Sequence, residues 1–365
     1  MTRFKSFLMF LMLVVIPELV GAREKEPWIV GGAFHTGFLA KHKNSMRALN
    51  EHTPHIIELF MAKTTHEEKL WQSFYHYPVY GVSYMMIDLG CPSYLGNAHA
   101  LYPFMNFNLT GAERIASLNF RVGTGIGYVE KIYNSFDNYR NRSIGTHLNA
   151  LISLRLEGKV RVIDPLYVSG GLSLTHLSNG SFKKPNTGLN YVTVFTSAGY
   201  TFGKAPTIEP FDRTLYEPDR SWRYTIYLSG GIKDHSIYDG AQYPALGLSL
   251  DASRLHLACT RYNGAFELFY DASDYYALAE NEIYPEKIKT IKIALSTGYG
   301  FIFGRFSAII HLGGYLYAEN TNYGRLYQRL LLHYELADRI NVRLGLKTHW
   351  GQADYIELAF GYRIR

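Results

Sequence analysis

The chain has 365 residues, 47% of them hydrophobic and 19% charged, with a net charge of +6. That length admits one large domain or two ordinary ones, and 30 Tyr and 21 Phe beside 33 Gly suit strands and aromatic girdles better than a helical enzyme. The positive charges are spread without a long basic run or a nucleic-acid motif, so the basic balance fits attraction to an anionic surface such as lipid phosphates.

"MTRFK", "SFLMFLMLVVI" and "LVGA" ending at Ala22 read as the basic, apolar and cleavage regions of a secretory signal peptide, so residues 1–22 are set aside from the fold. No later apolar run reaches the ~18 residues of a membrane helix. Any spanning structure must then be a closed barrel, because only helices and barrels satisfy every backbone group in lipid. Cys91 and Cys259 have neither metal nor redox spacing around them and read as unpaired small residues, although an oxidising compartment would allow a bridge.

From Trp28 onward, alternation and turn residues predict about sixteen strands: 28–41, 55–63, 76–89, 98–109, 114–131, 146–157, 161–178, 189–203, 222–234, 243–253, 256–272, 288–303, 306–317, 324–336, 340–350 and 353–364. The clearest is "IKTIKIALSTGYGFIF", with Ile291, Ile293, Leu295, Thr297, Tyr299, Phe301 and Phe303 on one face. Lys292, Ala294, Ser296, Gly298 and Gly300 share the other. That is the apolar-out, polar-in pattern of a spanning strand.

Connections alternate between short and long. "TGAER", "DASR", "FGRF" and "LADRI" fall on the periplasmic side, and "NSFDNYRNRS", "KDHSIYDGAQ", "DASDYYALAENEIYPE" and "ENTNYG" fall outside. Two periplasmic connections, 64–75 and 204–221, are longer, and the second contains three Pro. The expected fold is an all-β transmembrane antiparallel barrel. It is either one barrel of about sixteen strands, or an eight-stranded barrel over 23–203 followed by a second strand-rich half over 222–365.

In the strand 161–178, Leu166, Val168, Gly170, Leu172 and Leu174 form the lipid-facing phase, which His176 and Ser178 continue. Asn190 continues the apolar phase of the returning strand. Three hydrogen-bonding side chains thus share the outer wall near one depth, where polar groups are expensive and point to function. A Ser two residues after a His on one strand face suits a nucleophile with its general base. "SNG" and "PNTG" supply turn amides that can face an oxyanion, although such turns are also common and a polar pair at the headgroup level costs little.

The run "HLSNGSFKKPNTGLN", followed by a strand ending in "GYTFG", resembles the active-site region of the lipid A 3-O-deacylases, the PagL-type outer-membrane acyl hydrolases. The resemblance is sharp over 166–203, extends over 28–203 and leaves 204–365 unexplained. It implies an eight-stranded barrel with an outward Ser-His-Glu triad that cuts the ester at position 3 of lipid A and needs no metal or cofactor. His176 is then the base and Ser178 the nucleophile, with Asn179 and Gly180 in the oxyanion hole. Where the family has its acid, this chain has Asn190, which can hold a His tautomer but cannot offset imidazolium charge. Lys183 and Lys184 are either contacts for lipid A phosphates or a solvated loop tip. His349 in "LKTHWGQ" lies on the luminal parity with Arg343 and Lys347, as does Glu357, and has no Ser two residues on.

The expectation is a bacterial outer-membrane serine esterase acting on lipopolysaccharide from the extracellular leaflet, with no nucleic-acid partner and with a homo-oligomer as one option. The rivals are a non-enzymatic barrel, channel or structural, with a degenerate site, and a soluble secreted β-protein.

Overall fold

The computed structural model describes residues 27–66, 69–111, 115–203, 216–237, 240–280 and 286–364. The predicted signal peptide and the first part of the 204–221 connection lie outside them. The first eight strands are β1 (Trp28–Leu39), β2 (His55–Thr64), β3 (Val79–Cys91), β4 (Gly96–Asn108), β5 (Ala116–Val129), β6 (Leu148–Ile163), β7 (Leu166–Ser178) and β8 (Leu189–Phe202). Each pairs antiparallel with the next, and β8 returns to β1 to close a barrel. The second set is β9 (Arg223–Asp234), β10 (Gln242–Leu255), β11 (Thr260–Asp271), β12 (Ile291–Phe303), β13 (Phe306–Tyr317), β14 (Leu326–Glu335), β15 (Ile340–His349) and β16 (Gln352–Arg363). It closes independently through β16 and β9, so the chain forms two eight-stranded barrels and not one of sixteen. Neither barrel leaves a sheet edge unpaired.

Two predicted turns are displaced. "DASR" is not a turn: Asp251 to Arg254 continue β10, and the reversal lies at 256–259. Asp251 and Ser253 are buried on the luminal face, and Asp251 pairs with Arg343, so turn-type residues here serve as luminal polar groups. Likewise β6 runs on to Ile163 and the chain turns at Asp164 and Pro165. Glu157 faces inward and accepts from Asn106 Nδ2 at 2.8 Å, while the Lys159 ammonium sits 3.9 Å from the Tyr167 ring centre. Helices α1 (Leu70–Phe74) and α2 (Asp274–Glu280) occupy the 64–75 connection and the connection between β11 and β12.

The outer walls are apolar. Phe34, Phe38, Ile57, Leu59, Leu172, Leu228, Leu250, Leu295 and Phe360 are all exposed, an arrangement that water would penalise and lipid rewards. The lumens are polar and filled. In the first barrel, Glu58 is fully buried and accepts from Tyr102 Oη at 3.0 Å and Arg121 Nη1 at 3.3 Å, and it also pairs with Arg155, Ser83 and His35. A cavity of about 10 Å³ beside Arg121 and Glu157 has room for a single water. In the second barrel, Arg329 lies between Glu267 and Glu357, and Lys233 between Asp271 and Asp354. His349 faces this lumen and meets the Tyr315 hydroxyl at 3.0 Å.

The barrels touch at both ends. At the end away from the 179–188 hairpin, Phe303 at the close of β12 packs against Trp71, Tyr75 and Phe107, with ring centres 6.1, 4.7 and 5.8 Å away. The Tyr75 hydroxyl donates to the Cys259 carbonyl at 2.7 Å. Cys91 and Cys259 are both buried and neither is in a disulfide, so no such bond joins the barrels.

Replacing Glu58 with Ala takes the nearest carboxylate from two buried guanidinium groups, Arg121 and Arg155, and leaves them only Glu157 at 3.9 and 4.0 Å. The expected loss is ~3–5 kcal/mol, read as a lowered urea midpoint of the barrel folded in lipid bilayers. An unchanged midpoint would mean that the luminal pairs do not hold the barrel together.

Candidate active site

Strand pairing sets the site. His176 on β7 and Asn190 on β8 are direct cross-strand partners, so their side chains leave the same face of the sheet. Ser178 lies two residues beyond His176 and shares its side by the period of the strand. The outcome is a linear hydrogen-bonded set: His176 Nδ1 to Asn190 Oδ1 is 2.6 Å and His176 Nε2 to Ser178 Oγ is 3.0 Å. With Oδ1 as acceptor, Nδ1 carries the ring proton. Nε2 is left with its lone pair toward the Ser178 hydroxyl, the arrangement a general base requires. His176 and Asn190 are half-buried, and Ser178 is 7% exposed beneath its own hairpin.

The hairpin 179–188 closes the site. Gly180 and Ser181 have φ of +62° and +67°, and left-handed backbone at the non-glycine Ser181 marks a segment over-determined by its surroundings. Asn179 Nδ2 donates to the Lys183 carbonyl at 2.8 Å, and the Asn179 amide donates to Asn186 Oδ1 at 3.1 Å. The amide expected to face an oxyanion is therefore held by Asn186 in this state. Behind the hairpin, Gly188 N donates to the Ser143 carbonyl at 3.1 Å.

The second barrel grips this hairpin. Ser181 Oγ donates to the Ala353 carbonyl at 2.7 Å, and Asp234 N donates to the Ser181 carbonyl at 2.9 Å. Lys184 N donates to Asp234 Oδ2 at 3.0 Å and Gln242 Nε2 to the Phe182 carbonyl at 3.0 Å. A Cβ on Gly180 would stand 2.4 Å from Ile356 of β16. Lys184 Nζ donates to the His235 carbonyl at 2.6 Å, which ties this cation to the second barrel, whereas Lys183 is exposed. Among the described residues, no group of three or more His, Cys, Asp or Glu is arranged to hold a metal.

Sequence reading places His176, Ser178 and Asn190 together but passes over Asn186 and His42. Asn186 stands in "PNTG", where an Asn is first read as a turn residue. His42 follows β1, and its ring nitrogens lie 3.3 Å from Asn190 Nδ2 and 3.0 Å from the Thr187 carbonyl. Only the β1–β8 closure brings it there, and nothing in local spacing signals it.

A lipophilic fluorophosphonate should label Ser178 in the folded protein, with the adduct mapped by peptide mass spectrometry. Labelling should slow by at least ~100-fold in His176→Ala, because the hydroxyl loses its base. Gly180→Ala, which must displace the hairpin from Ile356, should slow it by roughly tenfold. Equal labelling of all three proteins would remove the case for an activated serine.

Two family models match the chain: the lipid A 3-O-deacylase (PagL) model over residues 58–198, and the acyloxyacyl hydrolase C-terminal domain model over residues 222–365. A search of the curated proteins finds no match. Similar solved structures include a mutant porin of Rh. blastica, at 9% identity over 92% of this chain and 99% of that one, with a TM-score of 0.18. Another is the outer membrane protein Omp33 of Acinetobacter baumannii, at 8% identity over 93% of this chain and 98% of that one, also with a TM-score of 0.18. The deacylase model spans the β7–β8 hairpin with its hydrogen-bonded His, Ser and Asn, and the C-terminal model begins where the second barrel begins. On these two matches, the chain belongs to the PagL family of lipid A 3-O-deacylases and acyloxyacyl hydrolases.

Proposed function

We propose that this outer-membrane barrel protein is a serine esterase that removes an ester-linked 3-hydroxyacyl chain from lipid A or a related outer-leaflet lipid. The observation that carries the reading is the Ser178–His176–Asn190 set on the lipid-facing wall of the first barrel, at the end of β7 that connects to the outer loops. A substrate embedded in the leaflet reaches such a site sideways without leaving the membrane. The site then lies at the extracellular leaflet, with 23–203 as the catalytic barrel and 222–365 as its companion.

Ser178 Oγ attacks the ester carbonyl while its proton passes to His176 Nε2. The C–O bond to the sugar breaks, and the imidazolium returns the proton to the departing sugar oxygen. Water, deprotonated by the same nitrogen, then cleaves the acyl-serine to release the 3-hydroxy fatty acid. Asn179 and Gly180 supply backbone amides for the tetrahedral oxyanion once the substrate carbonyl competes with Asn186 for the Asn179 N–H. Asn190 fixes the ring proton on Nδ1 but adds no negative charge beside the imidazolium, so orientation carries the rate here. Lys183, exposed on the hairpin, is the cation free to meet a lipid A phosphate. Lys184 is already committed to the His235 carbonyl.

A channel needs a wet lumen, whereas Glu58, Arg155, Glu267, Arg329, Lys233 and Asp354 are buried and ion-paired inside these barrels, which disfavours that rival.

Purified protein in micelles, given lipid A, should release 3-hydroxy fatty acid, quantified by chromatography and mass spectrometry. Ser178→Ala and His176→Ala should each lower the rate by at least ~1000-fold with the barrel still folded. Asn190→Glu should equal or exceed the parent, since a carboxylate stabilises the imidazolium as well as orienting it. Release that persists in Ser178→Ala would contradict the proposal.

A further inference from the structure

We propose that His42 is a positioning residue for the catalytic set, the group that holds the Asn190 amide the right way round. The inference rests on the serine esterase reading above and concerns how an Asn can stand in the acid position. A carboxylate presents an acceptor oxygen whichever way it turns. An amide does not: if Asn190 rotates by half a turn, its NH₂ faces His176 Nδ1, and the proton that should sit there is driven to Nε2, where it blocks the base. A third group must therefore discriminate between the two ends of the amide.

His42 is placed to do so. Ala40 N donates to the Asn190 carbonyl at 2.8 Å, which extends the β1–β8 ladder past Leu39 and sets His42 beside the Asn190 side chain. His42 Nε2 lies 3.0 Å from the Thr187 carbonyl, an acceptor only, so this nitrogen carries the proton of the neutral ring. The lone pair is then on Nδ1, which lies 3.3 Å from Asn190 Nδ2 and accepts its N–H. The Ala40 carbonyl, also 3.3 Å from Nδ1, can only accept and would favour a proton on Nδ1; the shorter 3.0 Å contact of Nε2 with the Thr187 carbonyl outweighs it. The chain of bonds runs in one direction: Asn190 donates to His42, its oxygen accepts from His176 at 2.6 Å, and His176 accepts from Ser178 at 3.0 Å. Reversing the amide would set two donors against each other at His176 and two acceptors against each other at His42. Thr187, whose carbonyl fixes the His42 tautomer, belongs to the catalytic hairpin, so hairpin placement and amide orientation are linked.

The test is a double-mutant cycle between His42→Phe and Asn190→Asp, with a spectroscopic readout beside activity. In the Asn190 background, His42→Phe should lower kcat about tenfold with KM little changed, the weight of one hydrogen bond felt in the chemical step. In the Asn190→Asp background, where either oxygen serves, the same substitution should cost less than about twofold. His42→Gln, whose side chain offers a carbonyl acceptor, should recover part of the loss. The ¹⁵N spectrum of histidine-labelled protein in micelles should show His176 as the Nδ1–H tautomer in the parent and as a mixture in His42→Phe. Equal losses in both backgrounds, or an unchanged His176 tautomer in His42→Phe, would overturn the proposal. A parent without deacylase activity would count against the esterase reading, while the tautomer measurement would still decide the role of His42.

Discussion

Everything in this molecule depends on closure. A strand in lipid must find a partner for every backbone N–H and C=O, and both sets of eight strands do so by returning to their first member. Closure removes freedom of register, because a slip of one residue would turn the outer wall into the lumen. The parity that sends Leu172 and Leu174 into lipid is therefore the parity that sends His176 outward, and the β7–β8 register then leaves no choice but to pair it with Asn190. The same closure carries the end of β1 alongside β8, where Ala40 and His42 reach Asn190. A hydrogen-bonded set on a barrel wall, such as the proposed catalytic one, is held by the whole ladder and needs no pocket of its own.

Polar groups have opposite meanings on the two faces. Inside, Glu58, Arg155, Arg329 and Asp354 are buried, and each has partners of opposite charge, an arrangement in which breaking one member costs more than the pair contributes. Eight-stranded barrels are narrow enough for side chains alone to fill them, and these side chains do. Outside, His176 and Asn190 lie where β7 and β8 run into their hairpin. The second barrel bears on this place through backbone carbonyls and Ile356, which brace the hairpin over Ser178. In the proposed reading the companion barrel is thus a support for the catalytic hairpin, and its paired lumen suits that passive role.

Much of this was legible in the chain. Sixteen alternating runs and the outward phase of His176, Ser178 and Asn190 follow from period two alone, and His349 was separated from the site by the same rule. Four things were not legible. Asp251 in "DASR" and Glu157 before "GK" look like turn chemistry because luminal and turn positions favour the same polar residues, and only their buried partners tell them apart. The choice between one barrel and two depends on whether β8 pairs with β1 or with β9, a long-range matter with no local signature. The short helices α1 and α2 sit in connections where periodicity is too brief to read. His42 and the grip of Asp234 and Ala353 on the hairpin are contacts between segments far apart in sequence.

The central claim is that Ser178, activated by His176, cuts an acyl ester of a leaflet lipid. Its most direct test is the mass spectrum of lipid A from cells that express the protein, compared with cells that carry Ser178→Ala at the same outer-membrane level. The account predicts a loss equal to one 3-hydroxyacyl chain with the parent and intact lipid A with the variant. Intact lipid A in both, with the parent folded in the outer membrane, would contradict it.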